Sequence, residues 1–414
     1  MPGNPMSSQR PASPLPLDAL APGDEAGVIA AVLAARAAGE PLLVEGRGTK
    51  QGMLRPVQAA RSLSTCNLTG VTLHAPQELI VSARAGTPLP ELEAKLAEGG
   101  QGIIAEPPDL SGLLGAEGVQ TLGGVVATNL SGPRRVAWGA MRDHVMGVRA
   151  VNGSGELIRS GGRVLKNVTG LDLCKLLTGS HGTLGILTEV TLKVLPTAEL
   201  TGSLLLPGLE AVRGVAALSA ALGSPYGVSG AAWLPAEAAE RVPDLAGQGP
   251  VALVRIEDFA ASVHYRLGRL VTELAAFGVA QTLDDEASRT AWRAVRDAVP
   301  LRADEGDAIW RISVRPSAGP AVVNAIHAAG GRCFLDWGGG LAWVAGAPSL
   351  HDAMAAAARA GGGTWTVLRA PESMRAAVHV VPPEAAPLAV ITRRVKAAMD
   401  PGGILNPGRL YAGL

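Results

Sequence analysis

Hydrophobic and polar residues alternate along this chain in short runs, each about the length of one helix or strand. Between the acidic pair Asp24-Glu25 and Gly39, apolar residues recur at helical spacing, which predicts a helix up to Ala38. Acidic side chains stabilise a helix N-terminus, and glycine commonly follows a helix C-terminus. The apolar stripe of this helix consists of Val28, Ile29, Val32 and Leu33.

Beyond Thr121 the pattern predicts mainly strands and turns. A hairpin is expected around Asn152-Gly153, because such a pair suits a tight turn between strands. Val190, Leu192 and Val194 alternate with polar residues and predict a half-buried strand that Pro196 ends. The elements predicted in this half of the chain are strands at 41–45, 79–83 and 190–194, a helix at 89–100 and the hairpin at 147–158.

From about Thr197 onwards, helical and strand patterns alternate as in a separate α+β domain. Helices are predicted at 209–222, 260–276, 317–329 and 387–398, and strands near 228–234, 250–256, 308–314, 341–345 and 364–368. The chain as a whole is predicted to be α+β. Its expected parts are a flexible leader at 1–17, a first domain at 18–196, a smaller covering domain at 197–380, and a C-terminal helix and tail at 381–414.

Length and charge limit the classes of protein. A chain of 414 residues exceeds one small core, so two domains are expected. Apolar residues make up 47% and charged residues 17%, which excludes a disordered chain. Lys+Arg and Asp+Glu both total 36, so no overall attraction to nucleic acid or anionic lipid is expected. No run of 18 apolar residues occurs, so no transmembrane span is expected.

Cysteine and histidine spacing argues against a metal centre. The three cysteines, Cys66, Cys174 and Cys333, lie far apart without a CxxC motif, and the seven histidines are scattered. We therefore expect no bound metal and no iron–sulfur cluster in this chain. Unpaired cysteines fit a reducing compartment, which indicates a cytoplasmic location.

A glycine-rich loop follows the strand predicted at 41–45. Consecutive main-chain N–H groups in such a turn form a concave nest that suits a diphosphate, and a hydroxyl and basic side chains add donors and charge. The alternative is an ordinary surface turn with a basic residue. The loop consists of Gly46, Arg47, Gly48, Thr49 and Lys50.

The segment from Thr121 to Pro196 is rich in small residues between short apolar runs. Glycine lets main chain approach a large flat ligand closely, because it has no Cβ. We interpret the segment as the wall of a flavin dinucleotide site. Its candidate cofactor residues are Gly123, Gly124, Thr128, Asn129 and Gly132, then Arg142 and Asp143, then Gly182, Gly185 and Ile186.

Several residues in this segment have alternative explanations. Arg134 and Arg135 are either cations near the ligand or a solvated surface pair. Arg142-Asp143 is expected to form a buried structural pair. His144 and His181 are more easily explained as structural histidines, although His144 is also a candidate base or flavin attachment point. No GxGxxG, GxxxxGK[ST], HExxH or GxSxG motif is present.

Residues 24–196 and the closing DPGGILNPGRLY resemble the FAD-binding fold of the vanillyl-alcohol oxidase and p-cresol methylhydroxylase family, since four motifs occur in the same order. In more detail, the chain resembles the FAD-binding subunits of bacterial glycolate oxidases. The segments that carry this likeness are 127–135, 164–180, 254–266, 309–317 and 335–344.

The resemblance implies a two-part FAD-binding domain, a smaller α+β cap domain and a tail that returns to the FAD domain. It implies that Gly46 to Lys50 hold the diphosphate, that Gly123, Gly124 and Thr128 line the pyrophosphate and flavin, and that Gly185 and Ile186 lie near the adenine. Asn406 would return to the flavin side. FAD is expected to bind non-covalently, because the glycine loop contains no histidine.

Two departures from the family pattern stand out. Catalytic relatives often carry HxGDGNLH in the second domain, whereas the counterpart here, LDWGGGLAW, has no histidine. This departure puts independent catalysis in doubt. His181 replaces the Glu or small apolar residue that the family has in GSxGTLG, which we expect to matter little.

Oxidation of a 2-hydroxy acid by flavin requires a base for the hydroxyl and a cation for the carboxylate. Arg255 and Arg311 are the candidate carboxylate clamp and His379 is the candidate base. The alternative is that both arginines form structural ion pairs and that His379 is a loop histidine.

Three classes of function remain open. The first is the FAD-binding subunit of a glycolate-oxidising complex with a second flavoprotein subunit and an iron–sulfur subunit, attached peripherally to the inner membrane through these partners. The second is a stand-alone dehydrogenase for a 2-hydroxy acid such as D-lactate. The third is a flavin-binding scaffold without turnover.

Overall fold

The structure, a computed structural model, describes residues 18–162 and 171–414. The leader predicted at 1–17 lies outside the described residues, as does part of the 164–180 segment.

A small parallel sheet opens the described part of the chain and forms the first part of the first domain. Its strands run in the order β1-β3-β2, and helix α1 buries Val28 and Val32 beside them. Asp24 caps α1 by accepting a hydrogen bond from Gly27 N, and Gly39 ends it with a φ of 65°. Leu33, predicted as a core residue, is instead 47% exposed. The elements are β1 (Asp18–Leu20), α1 (Glu25–Ala38), β2 (Leu42–Glu45) and β3 (Arg61–Ser64).

An antiparallel sheet forms the second part of the first domain. Four of its strands follow the order β4-β5-β9-β7, β8 completes the predicted hairpin with β7, and β6 pairs with β9. The strands are β4 (Val71–Ala75), β5 (Ile80–Arg84), β6 (Gln101–Ile103), β7 (Val145–Val151), β8 (Leu157–Gly161) and β9 (Ile186–Pro196).

The stretch after Thr121 contains the predicted hairpin and strand, together with short helices that the sequence did not predict. Thr121 caps the start of α4 by accepting a hydrogen bond from Gly124 N. Glycine is needed at position 123, because a Cβ there would lie only 2.8 Å from Ala85 Cβ. The helices of this half are α2 (Leu89–Ala97), α3 (Ser111–Leu114), α4 (Leu122–Thr128), α5 (Arg135–Trp138), α6 (Met141–His144) and α7 (Leu173–Leu177).

The rest of the chain builds one antiparallel sheet of eight strands in the order β13-β10-β12-β11-β15-β16-β14-β17. The sequence predicted β11, β12, β14, β16 and β17 but not the other three. Most of these strands are buried along nearly their whole length. The strands are β10 (Leu200–Pro207), β11 (Gly230–Leu234), β12 (Val251–Asp258), β13 (Gln281–Leu283), β14 (Ala308–Ser313), β15 (Arg332–Asp336), β16 (Leu341–Gly346) and β17 (Thr364–Arg369).

Helices pack against this sheet and complete the cap. The predicted helices correspond to α8, α10 and α12, whereas α9, α11, α13 and α14 were not predicted. Short 3-10 turns lie at Pro76–Glu78, Ala275–Phe277, Pro316–Ala318, Trp337–Gly339 and Pro348–Leu350. The helices are α8 (Ala211–Leu222), α9 (Ala236–Ala239), α10 (Ala260–Glu273), α11 (Asp285–Arg296), α12 (Gly319–Ala328), α13 (His351–Ala360) and α14 (Glu372–Ala377).

The C-terminal tail returns to the small parallel sheet. After α15 (Ala386–Met399), Leu405 forms a parallel bridge with Leu42. The buried Lys396 ammonium donates to the carbonyls of Thr183 and Leu405 and to Asp400, each at 2.8 Å, so all three of its donors are satisfied. The two-part first domain, the α+β cap and the returning tail confirm the predicted fold class.

Within the described residues, no helix is long and apolar enough to cross a membrane. In the same part of the chain, no group of three or more His, Cys, Asp or Glu side chains is arranged to hold a metal ion.

Candidate functional site

A cleft with a volume of about 760 Å³, partly open to solvent, lies where five segments of the chain meet. The segments are the end of β2 with the loop after it, Thr65 after β3, helix α4, the loop that leads into β9, and the tail. The predicted cofactor residues that line the cleft are Gly46, Arg47, Gly48, Thr49, Lys50, Gly123, Gly124, Thr128, Gly182, Gly185 and Asn406.

The loop from Gly46 to Lys50 presents open main-chain donors. None of its five N–H groups donates to a carbonyl or side chain of the described residues. Gly48 has a φ of 74°, a conformation that suits glycine, and a Cβ at Gly46 would lie 2.4 Å from Thr121 Oγ1. Free N–H groups that point into a cleft from successive residues form an anion site.

Two basic side chains complete this loop. Lys50 Nζ donates to Gln120 Oε1 at 2.9 Å, and burial lowers the pKa of Lys50 to about 8. Arg47 is exposed and forms no ion pair within the described residues. One acid also lines the cleft, Glu45, whose pKa is raised by burial and which accepts a hydrogen bond from Gln51.

The start of α4 provides space rather than donors. Gly123 N already donates to Ala85 O at 2.7 Å, and Gly124 N donates to Thr121 Oγ1 at 3.2 Å. A Cβ at Gly124 would meet only Thr121 Oγ1 within 4 Å, so this position opens onto the cleft. Thr128 Oγ1 donates to Gly124 O at 2.8 Å, so this hydroxyl can only accept a hydrogen bond from a ligand in the cleft.

Asn129 and Gly132 lie outside the cleft lining, contrary to the prediction. Asn129 ends α4 with a φ of 52°, and its Oδ1 accepts a hydrogen bond from Arg142 N at 3.0 Å. A Cβ at Gly132 would lie 2.2 Å from Glu106 O, so this glycine is needed for close packing of main chain. Both residues therefore shape the wall without facing its interior.

The segment 142–144 also lies outside the cleft lining. The side chains of Arg142 and Asp143 are exposed and do not form the buried pair that we predicted. Asp143 instead accepts a hydrogen bond from Ala140 N at 2.8 Å and caps α6. His144 is buried, its Nε2 has no partner within the described residues, and burial lowers its pKa, which describes a neutral core histidine.

The loop before β9 forms the facing wall of the cleft. Burial, assisted by the charge of Arg409, lowers the pKa of His181 to about 3, so its imidazole is neutral at physiological pH. Gly182 has a φ of 71°, and a Cβ there would lie 2.8 Å from Asn406 Nδ2. Gly185 lines the cleft, whereas Ile186 is fully buried in the strand β9 and pairs with Val151.

Asn406 connects the two walls. Its Oδ1 accepts from Val44 N at 2.7 Å, and its Nδ2 donates to Val44 O at 3.1 Å and to His181 O at 2.8 Å. Arg409, which the sequence interpretation did not single out, donates to Lys50 O at 2.8 Å and to Arg55 O at 3.0 Å. The tail therefore holds both cofactor loops in place.

Other contributors were not singled out in the sequence either. Thr121 fills the space beside Gly46, and Gln120 orients Lys50. Their position directly before the LGGVVATN segment was the available signal. His181 was noticed but interpreted as structural, and it lines the cleft.

Arg255 belongs to an ion-pair network between the first domain and the cap. Its guanidinium donates to both carboxylate oxygens of Glu106 at 2.9 Å and lies 3.2 Å from Glu257. Arg134 binds Glu257 from the other side at 2.5 Å. Burial alone would raise the pKa of Glu257, but Arg255 and Arg134 lower it to about 2. Arg255 thus has two carboxylate partners already, which fits the structural alternative.

The other two catalytic candidates lie on different elements of the cap. Arg311 lies on β14 with its Nε buried and without a hydrogen-bond partner among the described residues. His379 is exposed beyond α14, and its main-chain carbonyl accepts a hydrogen bond from Trp365 Nε1 at 3.1 Å. Within the described residues, no hydrogen bond or ion pair joins Arg255, Arg311 and His379 to one another.

The residues of the cleft fit FAD. A diphosphate carries two negative charges, and the Gly46–Lys50 loop offers it unpaired N–H donors with Lys50 and Arg47 beside them. Gly124 leaves room for a flat ring system against the main chain. Glycine rather than a larger residue is required at Gly46 and Gly182, where a Cβ would collide with its neighbour.

Comparisons with known proteins agree with this fit. The FAD binding domain family matches residues 16–161. Glycolate oxidase subunit GlcE of Escherichia coli (strain K12) is 33% identical over 377 residues, which cover 90% of this chain and 93% of GlcE. D-lactate dehydrogenase of Archaeoglobus fulgidus is 33% identical over 157 residues, 38% of this chain and 33% of that protein.

Among solved structures, 4-ethylphenol oxidase from Gulosibacter chungangensis superimposes with a TM-score of 0.69 at 14% identity, covering 95% of this chain and 89% of that one. This likeness shows the shared fold. Together with the similarity to GlcE along nearly the whole chain, it identifies this protein as an FAD-dependent oxidoreductase that belongs to the family of the glycolate oxidase subunit GlcE.

Proposed function

We propose that this chain is the FAD-binding subunit of a complex that oxidises glycolate to glyoxylate and passes the electrons to an iron–sulfur partner. The observation that carries the proposal is the similarity to GlcE, which extends through both the FAD domain and the cap. A second relative, glycolate oxidase subunit GlcD of Bacillus subtilis, is 41% identical over 99 residues, 24% of this chain. We therefore propose a related flavoprotein as the second subunit.

In the proposed reaction, bound FAD accepts the hydride that leaves Cα of the 2-hydroxy acid. The Gly46–Lys50 loop holds the diphosphate through its N–H groups, with Lys50 as the buried cation. Asn406 and Arg409 keep this loop at a fixed distance from His181. We propose that FAD remains non-covalently bound, because the Gly46–Lys50 loop contains no histidine.

The cap is proposed to bind the substrate carboxylate through Arg311, because this guanidinium has no carboxylate partner among the described residues. Arg255 is less suited to the clamp, because Glu106 and Glu257 already neutralise it. His379 is exposed and forms no contact with Arg311 that would make it a base for the same substrate.

The electrons would have to leave this chain. An iron–sulfur cluster is typically held by four cysteines, and this chain has three, of which Cys174 and Cys333 are buried in its core. Burial raises the pKa of both thiols, which disfavours the thiolate form that binds metals. We therefore propose an iron–sulfur subunit as the electron acceptor, with peripheral attachment to the inner membrane through the partners.

A stand-alone dehydrogenase is the second candidate, favoured by the similarity of the FAD domain to D-lactate dehydrogenases. A scaffold without turnover is the third, favoured by the turn Trp337–Gly339, which occupies the place where catalytic relatives are expected to have histidines. The stand-alone dehydrogenase would oxidise its substrate without partners, whereas the scaffold would bind flavin without oxidising any substrate.

Gly124→Val tests the cofactor cleft. A branched side chain at this position would project into the space that the flat cofactor needs, so the Kd for FAD is expected to rise at least about tenfold. Flavin absorbance of the purified protein and titration with FAD measure the effect. Gly268→Val is the matched control. Gly268, like Gly124, lies within a helix, and a Cβ at Gly268 would meet no atom within 4 Å. Equal flavin content in both variants would contradict the assignment.

The pH dependence of FAD binding tests Lys50. Because its pKa is lowered to about 8, Lys50 loses its positive charge as the pH rises through 8, and its attraction for the diphosphate is lost with it. The affinity for FAD is expected to fall by up to about tenfold per pH unit above that point. Lys50→Met should weaken FAD binding at pH 7 and remove most of its pH dependence. Lys95→Met, which alters an exposed ion pair, should keep both the affinity and the pH dependence of the unaltered chain. An unchanged profile in Lys50→Met would exclude this role.

Copurification and turnover test the proposed function. The tagged chain, expressed with its natural partners, is expected to elute with a second flavoprotein and with iron, and this complex should reduce an artificial acceptor with glycolate. The isolated, FAD-loaded chain should show no comparable turnover with glycolate or D-lactate. Full activity of the isolated chain would support the stand-alone dehydrogenase. Full activity of a complex that contains Gly124→Val without its FAD would support the scaffold.

A further inference from the structure

Two arginines from different domains share one tryptophan. The guanidinium carbon of Arg135, on α5 of the FAD domain, lies 4.4 Å from the ring centroid of Trp337. That of Arg311, on β14 of the cap, lies 5.2 Å from the same centroid and 5.0 Å from the ring of Trp343. The cluster therefore brings two permanent positive charges and two indole rings together at the domain boundary.

Among the described residues, no carboxylate forms an ion pair with either arginine of this cluster. Arg255 nearby, by contrast, has two carboxylate partners. Asp336 and Asp143 act on Arg311 and Arg135 only from a longer distance. Burial, together with the charge of Arg135, lowers the pKa of Arg311 to about 10. A desolvated cation without a partner is unfavourable, and an anion that enters the cluster would relieve it.

Hydrogen-bond donors in the cluster are also unsatisfied. Arg311 donates no hydrogen bond to any described residue, and its buried Nε is without a partner. The buried Nε1 of Trp343 likewise lacks an acceptor. By contrast, Trp337 Nε1 donates to Gly132 O at 3.1 Å, which fixes this ring against the FAD domain. The cluster thus combines a fixed wall with free donors.

The cluster lies close to the cofactor cleft. Gly132, to which Trp337 is bound, follows α4, and the other end of this helix opens onto the cleft at Gly124. Thr128, at the end of α4 nearer to Gly132, also lines the cleft. Only three residues therefore separate the cleft lining from the residue that holds Trp337.

We propose that Arg135 and Arg311, on either side of the domain boundary, bind the carboxylate of a small organic acid against the indole of Trp337. Resting on the proposed function, this acid is the 2-hydroxy-acid substrate. A planar guanidinium donates two parallel hydrogen bonds to a carboxylate, which gives orientation as well as affinity. Because one arginine comes from each domain, binding of the acid also links the cap to the FAD domain.

Calorimetric titration of the FAD-loaded full chain with oxalate tests the site. Oxalate carries the carboxylate but has no hydroxyl-bearing carbon to oxidise, and ethylene glycol is the matched ligand without a carboxylate. Saturable binding of oxalate, displacement of oxalate by glycolate, and no binding of ethylene glycol are expected. Arg135→Gln and Arg311→Met should each weaken oxalate binding by at least about tenfold. Arg394→Gln, at an exposed arginine of α15, should bind as the unaltered chain does.

Thermal unfolding separates this role from a structural one. Without ligand, Arg311→Met should unfold at the same temperature as the unaltered chain or higher, because it removes an uncompensated charge. It should lose the stabilisation that oxalate gives the unaltered chain. If Arg311→Met folds poorly, Arg135→Gln, at an exposed position, provides the same test, namely the loss of stabilisation by oxalate.

Two results would overturn the proposal: an unaltered chain that binds no oxalate, or variants that bind it as tightly as the unaltered chain does. Oxalate that glycolate fails to displace would overturn the assignment to the substrate. Flavin absorbance, recorded on the same samples, tests the proposed function separately. If a chain without flavin still binds oxalate through both arginines, the carboxylate site is supported and the proposed oxidoreductase role is contradicted.

Discussion

The cleft depends on a single side chain of the C-terminal tail, because Asn406 bonds both walls at once. It satisfies the N–H and the carbonyl of Val44 at the end of β2 and the carbonyl of His181 in the opposite loop. Arg409 then holds the loop that follows Lys50, and Lys396 anchors the tail itself. These contacts hold the main chain on either side of the glycine loop, whose N–H groups donate to no described residue. The proposed nest for a diphosphate is thus supported by residues more than 350 positions apart in the sequence.

Arginines are used in two different ways at the domain boundary. Arg255 is closed off by Glu106 and Glu257, and removal of one partner from such a buried pair typically costs about 3–5 kcal/mol, so the network secures the cap on the FAD domain. Arg311 has aromatic neighbours instead of carboxylates. Indole rings stabilise a cation weakly and leave its donors free. The first arrangement stabilises the fold, and the second keeps a charge available for a ligand.

Much of the fold followed from local patterns, whereas the site depended on long-range contacts. Helix α1, the hairpin β7–β8 and the loop at Gly46–Lys50 could be predicted because capping residues, turn residues and glycines act locally. Helix α4 was missed because paired glycines favour turns, and only the contact of Gly123 with Ala85 explains their place in a helix. The role of Arg255 was open in the sequence, since its partner Glu106 lies 149 residues away. Asn406 was expected near the flavin by resemblance alone, and its bonding pattern required the folded chain.

The central claim is that the open N–H groups of the Gly46–Lys50 loop receive the diphosphate of FAD. Hydrogen–deuterium exchange of these amides, measured on the flavin-free chain and after FAD is added, tests it most directly. The account predicts that their exchange slows on binding, while the glycine turn at Gly247–Gly249 exchanges as before. Binding of FAD with unchanged exchange at Gly46–Lys50, or with protection confined to another part of the chain, would contradict the account.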